Sequence, residues 1–117
     1  MSKPLVQQIA ERARDFIADP RKWTQYAIAR TGNNRHCEPT DAKAARFCAY
    51  GAILRAAYDI AGSDDQAQRL ADQTAMFIMG RESPYAAFEE LIAINDGQRA
   101  TARKNVLDAF EKALVNA

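Results

Sequence analysis

Three observations predict an all-α protein: apolar residues recur at three- and four-residue spacing in almost every segment, Gly or Pro stands at most breaks, and strand alternation is nearly absent. The expected architecture is a single compact domain over residues 1–117, with five to six helices around a central helix at about 41–61 and no sheet. A chain of 117 residues, 48% hydrophobic and 26% charged, is one ordinary domain. A chain of that length buries roughly 65% of its unfolded surface, enough for a real core.

Ser2 caps a first helix with Pro4 just inside it, and Leu5, Val6, Ile9, Ala13, Phe16 and Ile17 form its stripe. Pro20 stops that helix, and Lys22–Arg30, with Trp23, Tyr26, Ala27 and Ile28, reads as a short second one. Thr31-Gly32-Asn33-Asn34-Arg35-His36 is the clearest loop. Pro39-Thr40-Asp41 opens the central helix, which runs to about Ala61 and ends at Gly62. Ser63 opens a helix carrying Ala67, Leu70, Ala71, Thr74, Ala75, Phe77 and Ile78, and Gly80 closes it. Ser83-Pro84 opens a shorter helix with Ala87, Phe88, Leu91 and Ile92, and Asn95-Asp96-Gly97 forms a turn. Thr101 caps the last helix, whose stripe is Val106, Leu107, Phe110, Ala113 and Leu114. The Met76-Phe77-Ile78-Met79 cluster is wider than one stripe and suits either a broad buried face or a partner surface.

The central helix carries few charges and two apolar arcs, so both its sides want burial. Cys48 falls beside Ala44, Gly51 and Ala52 on a narrow strip between the arcs. A reactive or ligand-contacting thiol is one reading, and a small buried residue on a close-packing face is the favoured one. Gly51 inside a helix costs roughly 1 kcal/mol against Ala, and close approach of another backbone is the usual compensation. Arg46, also on this helix, needs a partner: a carboxylate such as Asp96 or Asp19, a carbonyl, or a ligand.

Composition removes several function classes. The net charge of +1 argues against a globally basic nucleic-acid binder. Two cysteines, Cys37 and Cys48, are too few for a disulfide framework, and the single histidine, His36, cannot build a His-rich metal site. No run approaches a membrane span and the first residues do not form an apolar signal core, so a reduced, cytoplasmic protein is expected. No Walker or Rossmann phosphate motif is present, and no cofactor, no metal and no catalytic residue are expected.

Charge is nevertheless uneven. Between Arg21 and Arg55 stand seven basic residues against only Glu38 and Asp41, interleaved with Trp23, Tyr26, His36, Phe47 and Tyr50. Residues 1–50 carry nine basic and five acidic side chains; residues 51–117 carry seven and ten. Such asymmetry suits an anion site or a self-complementary surface. The Gly-Asn loop tolerates left-handed backbone, so its amides, with Arg35 and His36, can converge on an anion. Asn95 and Asp96 read foremost as a turn and cap.

Lys22-Trp23, Ala45-x-Phe47-Cys48-x-x-Gly51-Ala52, Ile94-Asn95-Asp96, and Thr101 with Val106-Leu107 occur in this order. The set resembles an uncharacterised family of short bacterial and phage-borne helical proteins, a domain of unknown function. The family pattern is a Trp, an Arg-x-Cys-x-x-Gly-Ala helix and a Trp-Asn-Asp turn, here spanning roughly residues 20–115. Arg46-Phe47-Cys48 stands for its Arg-x-Cys element, and Ile94 departs from the aromatic at the turn. The resemblance implies no activity. It implies that Trp23, Cys48, Gly51, Asn95 and Asp96 meet in space as a structural keystone or a site.

The function expected is a small non-catalytic binding or regulatory protein acting through protein–protein contacts, with self-association. The alternative is a binder of an anionic small molecule or nucleotide through the basic-aromatic region 21–55, using Trp23, Tyr26, Arg35, His36 and Arg46. A cysteine enzyme is the least favoured, because no histidine lies at helical spacing from Cys48.

Overall fold

The structure is a computed structural model and describes residues 3–117. It holds five α-helices: α1 (Leu5–Ala18), α2 (Ala49–Ala61), α3 (Asp64–Met79), α4 (Pro84–Asn95) and α5 (Arg99–Val115). A single 3-10 turn covers Pro20–Lys22. Between that turn and α2 lie three short strands, β1 (Ala29–Thr31), β2 (His36–Cys37) and β3 (Ala44–Phe47), forming an antiparallel sheet in the order β2-β1-β3. The chain is 65% helical and is not all-α.

The sheet replaces the helix expected at 22–30 and the first turns of the helix expected at about 41–61, and it flanks the expected loop. Lys22–Arg30 is not a helix: after the 3-10 turn the chain bridges to Phe47 at Trp23, bends through residues 25–28 and joins the sheet at Ala29. The loop at 31–36 is a β-hairpin turn, with the Thr31 N–H donating to the Arg35 carbonyl and Asn34 at a φ of 68°. The helix expected at about 41–61 begins only at Ala49, with Cys48 as its N-cap. Asp41 is spent locally, its carboxylate accepting from the Lys43 N–H at 2.8 Å, so it forms a turn and not a helix cap. Residues 44–47 pair with β1 through an irregular register, with Ala44 and Arg46 partly exposed, Ala45 exposed and Phe47 buried. Strands of two to four residues are too short for a period of two to stand out from a helical pattern.

The remaining helix ends follow local chemistry. Gly62 and Gly80 close α2 and α3 at positive φ, and Ser63 and Ser83 cap α3 and α4 through their hydroxyl oxygens. The last helix starts at Arg99 after Gln98, two residues before the expected Thr101 cap. Pro4 precedes α1, its carbonyl accepting from the Gln7 and Gln8 N–H groups, while the Ser2 cap lies outside the described residues.

The core is one continuous cluster with α2 at its centre. Ala49, Ala52, Ile53, Ala56 and Ala57 of α2 are sealed from solvent by α1 (Ile9, Ala10, Ala13, Ile17), α3 (Ala67, Ala71, Ala75) and α4 (Ala87, Leu91). Val106 and Phe110 bring α5 into the same cluster. The many alanines let helix axes approach closely, and the sheet covers the open end beside the start of α2, Phe47 packing 5.3 Å from Phe16. Met76, Phe77 and Met79 are half-buried against the core. Among the described residues no helix is long and apolar enough to cross a membrane.

Candidate functional site

The segment 23–28 leaves β3 and returns to it. Trp23 bridges Phe47 in parallel, the Thr24 N–H donates to the Phe47 carbonyl, and the Cys48 N–H donates to the Ile28 carbonyl. Between these anchors the chain bulges outward and Tyr26 forms the crest, its side chain exposed and its φ at 63°. A bulky aromatic at positive φ is an outlier that surrounding contacts must hold. Asp96 holds it: its carboxylate accepts from the Tyr26 N–H at 2.9 Å, and its carbonyl accepts from the Tyr26 hydroxyl at 3.2 Å.

Asn95 anchors the segment from beneath. Its buried carboxamide oxygen accepts from the Trp23 indole at 2.8 Å and from the Ala49 N–H at 2.9 Å. Its amide nitrogen donates to the Thr24 carbonyl and the Asp96 carboxylate, both at 3.1 Å. The first turn of α2 is thereby completed: Asn95 takes the Ala49 N–H, and the Cys48 sulfur takes the Gly51 N–H at 3.3 Å. Burial pushes the Cys48 thiol up to about 11, which suits a cap and not a nucleophile. Gly51 sits in this first turn. A Cβ there would lie 2.0 Å from the Ile28 carbonyl oxygen, the close backbone approach that explains the glycine.

On the outer face of the sheet the charges line up. Arg30, in the middle strand, pairs with His36 on one side and Arg46 on the other, so all three side chains share a face. Arg30 is held by neutral acceptors alone: the Thr24 hydroxyl, the Asn34 carbonyl and the Gln25 carbonyl, at 3.0–3.3 Å. Arg46 reaches only the Asn34 side-chain oxygen, at 3.4 Å. Among the described residues neither makes an ion pair, and nor does Arg99. Arg30, Arg46 and Arg99 line one concavity of about 200 Å³ with Trp23, Thr24, Gln25, Tyr26 and Asn34. No carboxylate lines it.

The family model of DUF6197, a family of unknown function, matches residues 1–115. The chain belongs to that family. No curated protein and no solved structure matches it.

In this DUF6197 chain the residues singled out in the sequence divide into groups. Trp23, Cys48, Gly51, Asn95 and Asp96 are joined directly or through one neighbour around the start of α2. Trp23, Tyr26 and Arg46 line the cationic concavity. Arg35 and His36 do not line it: both are exposed on the hairpin, although His36 shares the face of Arg30. Arg46 belongs to β3, not to the central helix, and neither Asp96 nor Asp19 pairs with it. Sequence reasoning passed over Arg30 and Arg99. The charge count over 21–55 contained Arg30 without distinguishing it, and nothing in the sequence brings the start of α5 to the sheet. Among the described residues no group of three His, Cys, Asp or Glu side chains is placed to hold a metal ion.

Proposed function

We propose that this DUF6197 protein is a non-catalytic binding protein that takes an anionic small molecule among Arg30, Arg46 and Arg99. The observation that carries the proposal is the concavity lined by three arginines and by no acidic residue. Like charges directly opposite in a sheet are destabilising, and Arg30 and Arg46 are such a pair. A bound anion removes that repulsion. Guanidinium forks suit phosphate and carboxylate oxygens. Strain at Tyr26, on the rim of the same concavity, accords with a binding role. The sealed, proton-retaining Cys48 favours binding over cysteine catalysis.

The test is thermal unfolding in phosphate and in chloride at matched ionic strength. A specific site gives a melting temperature that rises with phosphate, since ligand at a hundred times Kd adds about 2.7 kcal/mol to the native state. Arg46→Gln abolishes the rise. Identical curves in the two anions refute the proposal.

A second function, self-association, is favoured by one feature. The C-terminal end of α3 and the facing side of α5 leave a groove of about 490 Å³ lined by Phe77, Ile78, Met79, Ala109 and Ala113, with Lys112 and Asn116 also in its lining. Its test is the mass in solution as a function of concentration, where a constant monomer mass removes it.

A further inference from the structure

We infer that the anion is the phosphate of a nucleoside monophosphate, whose base lies across Tyr26 in a second hollow. The inference rests on the anion site proposed above and adds the other half of the ligand.

Tyr26 lines two concavities. One is the cationic hollow of about 200 Å³. The other is a hollow of about 380 Å³ lined by Tyr26, Ala27, Ile28, Cys48, Phe88, Ile92 and Asp96. Small-molecule sites run from about 300 to 1,000 Å³, so the cationic hollow alone is small for a ligand and the pair is ample. The two differ sharply in chemistry. The first is polar and positive. The second is mostly apolar, with Tyr26 and Phe88 in its lining, and Asp96 is its only charged residue.

That polarity orients a ligand. An anionic end is attracted to the arginines and repelled by Asp96. The other end must be uncharged, must offer flat apolar faces to the rings, and gains by carrying an N–H donor. One Asp96 carboxylate oxygen is occupied by the Tyr26 and Asn95 donors, while the second accepts no hydrogen bond from the described residues. An amino or imino group of a nucleobase meets all three conditions.

The walls are pre-set for this task. Arg30 spends three N–H groups on Thr24, Gln25 and Asn34, which fixes the guanidinium and leaves two of its five donors for phosphate oxygens. Phe88 is fixed edge-on against Tyr50, with ring centres 4.9 Å apart. The Trp23 indole N–H is already given to Asn95, so Trp23 supplies a wall and not a donor.

Isothermal titration at constant ionic strength tests the inference with four probes: inorganic phosphate, adenosine and guanosine monophosphate, and a short single-stranded oligoribonucleotide. At least one mononucleotide is expected to bind about tenfold or more tightly than phosphate, the gain of one base–aromatic stack. Phe88→Leu, which alters a residue lining the second hollow and not the cationic one, removes that gain and leaves phosphate affinity unchanged. Arg46→Gln weakens phosphate and mononucleotide together. Phosphate and mononucleotides binding equally tightly would overturn the inference and leave the anion site standing. An oligoribonucleotide binding a hundredfold tighter than any mononucleotide would overturn it in favour of nucleic acid. No binding of phosphate or mononucleotide would overturn both the inference and the anion site.

Discussion

Trp23 donates its indole N–H to the Asn95 carboxamide oxygen across 72 residues of sequence, at 2.8 Å. The same oxygen accepts from the Ala49 N–H, so one buried side chain ties the segment 23–28 to α4 and to the start of α2. All four hydrogen-bonding positions of the carboxamide are used. Asn95→Ala strands the Trp23 indole N–H, the Ala49 N–H and the Thr24 carbonyl in a buried site. With about 1–3 kcal/mol for each buried group left unpaired, a loss of at least about 3 kcal/mol is expected in urea unfolding. A loss below about 1 kcal/mol would show that the site is wet and the network dispensable.

Gly51 lies under the Ile28 carbonyl, which also accepts from the Cys48 N–H. An added methyl group at 2.0 Å cannot be absorbed by a flexible side chain, because the obstacle is backbone. Gly51→Ala should therefore destabilise by about 3 kcal/mol, despite the better helix propensity of alanine. Equilibrium denaturation decides this, and a neutral or stabilising Gly51→Ala contradicts the packing described.

Cys48 makes stability fall in alkali. Its thiol is ordinarily near 9.0 and stands at about 11 in the folded chain, chiefly through burial. Between those values the unfolded chain has lost the proton and the native chain keeps it. The unfolded state then binds fewer protons, so stability decreases as pH rises, by up to about 1.4 kcal/mol per pH unit. Below pH 9 the group contributes no slope. Tyr50, raised to about 12 by burial and the Asp72 carboxylate, extends the decline at higher pH. Subtracting the Cys48→Ala stability curve from that of the unaltered protein should isolate a decline confined to about pH 9–11. Parallel curves would show that Cys48 ionises freely.

Arg46 contributes little to the fold. Its one protein hydrogen bond is long, and Arg30 stands opposite in the sheet. In a buffer free of multivalent anions, Arg46→Ala should change stability by no more than about 0.5 kcal/mol, with a gain expected from relieved repulsion. A loss of 2 kcal/mol or more, on the scale of breaking a buried charge interaction, would mark Arg46 as structural.

The helices were legible because each spans at least three turns and ends at a marked residue: Pro20 after α1, Ser63 and Gly80 around α3, Ser83-Pro84 at the start of α4. The sheet was hidden by its size. Ala44–Phe47 carries the same small and aromatic residues as the helix that follows, so its pattern merged with that of α2. Tyr26 takes positive φ through contact with Asp96, a residue 70 positions away, which no local propensity encodes. The meeting of Trp23, Cys48, Gly51, Asn95 and Asp96 was accessible as a resemblance between short motifs. The cationic concavity was visible only as a charge count, because its members come from β1, β3 and α5.

The central claim is that Arg30, Arg46 and Arg99 form one anion site. Amide and arginine side-chain NMR shifts during a phosphate titration at constant ionic strength test it most directly. The account predicts saturating shifts centred on those three guanidinium groups and the backbone of residues 23–26, with α1 and the α3–α5 groove unmoved. Shifts that rise linearly without saturation, or that centre on exposed Arg35 and Lys43 instead, would contradict it.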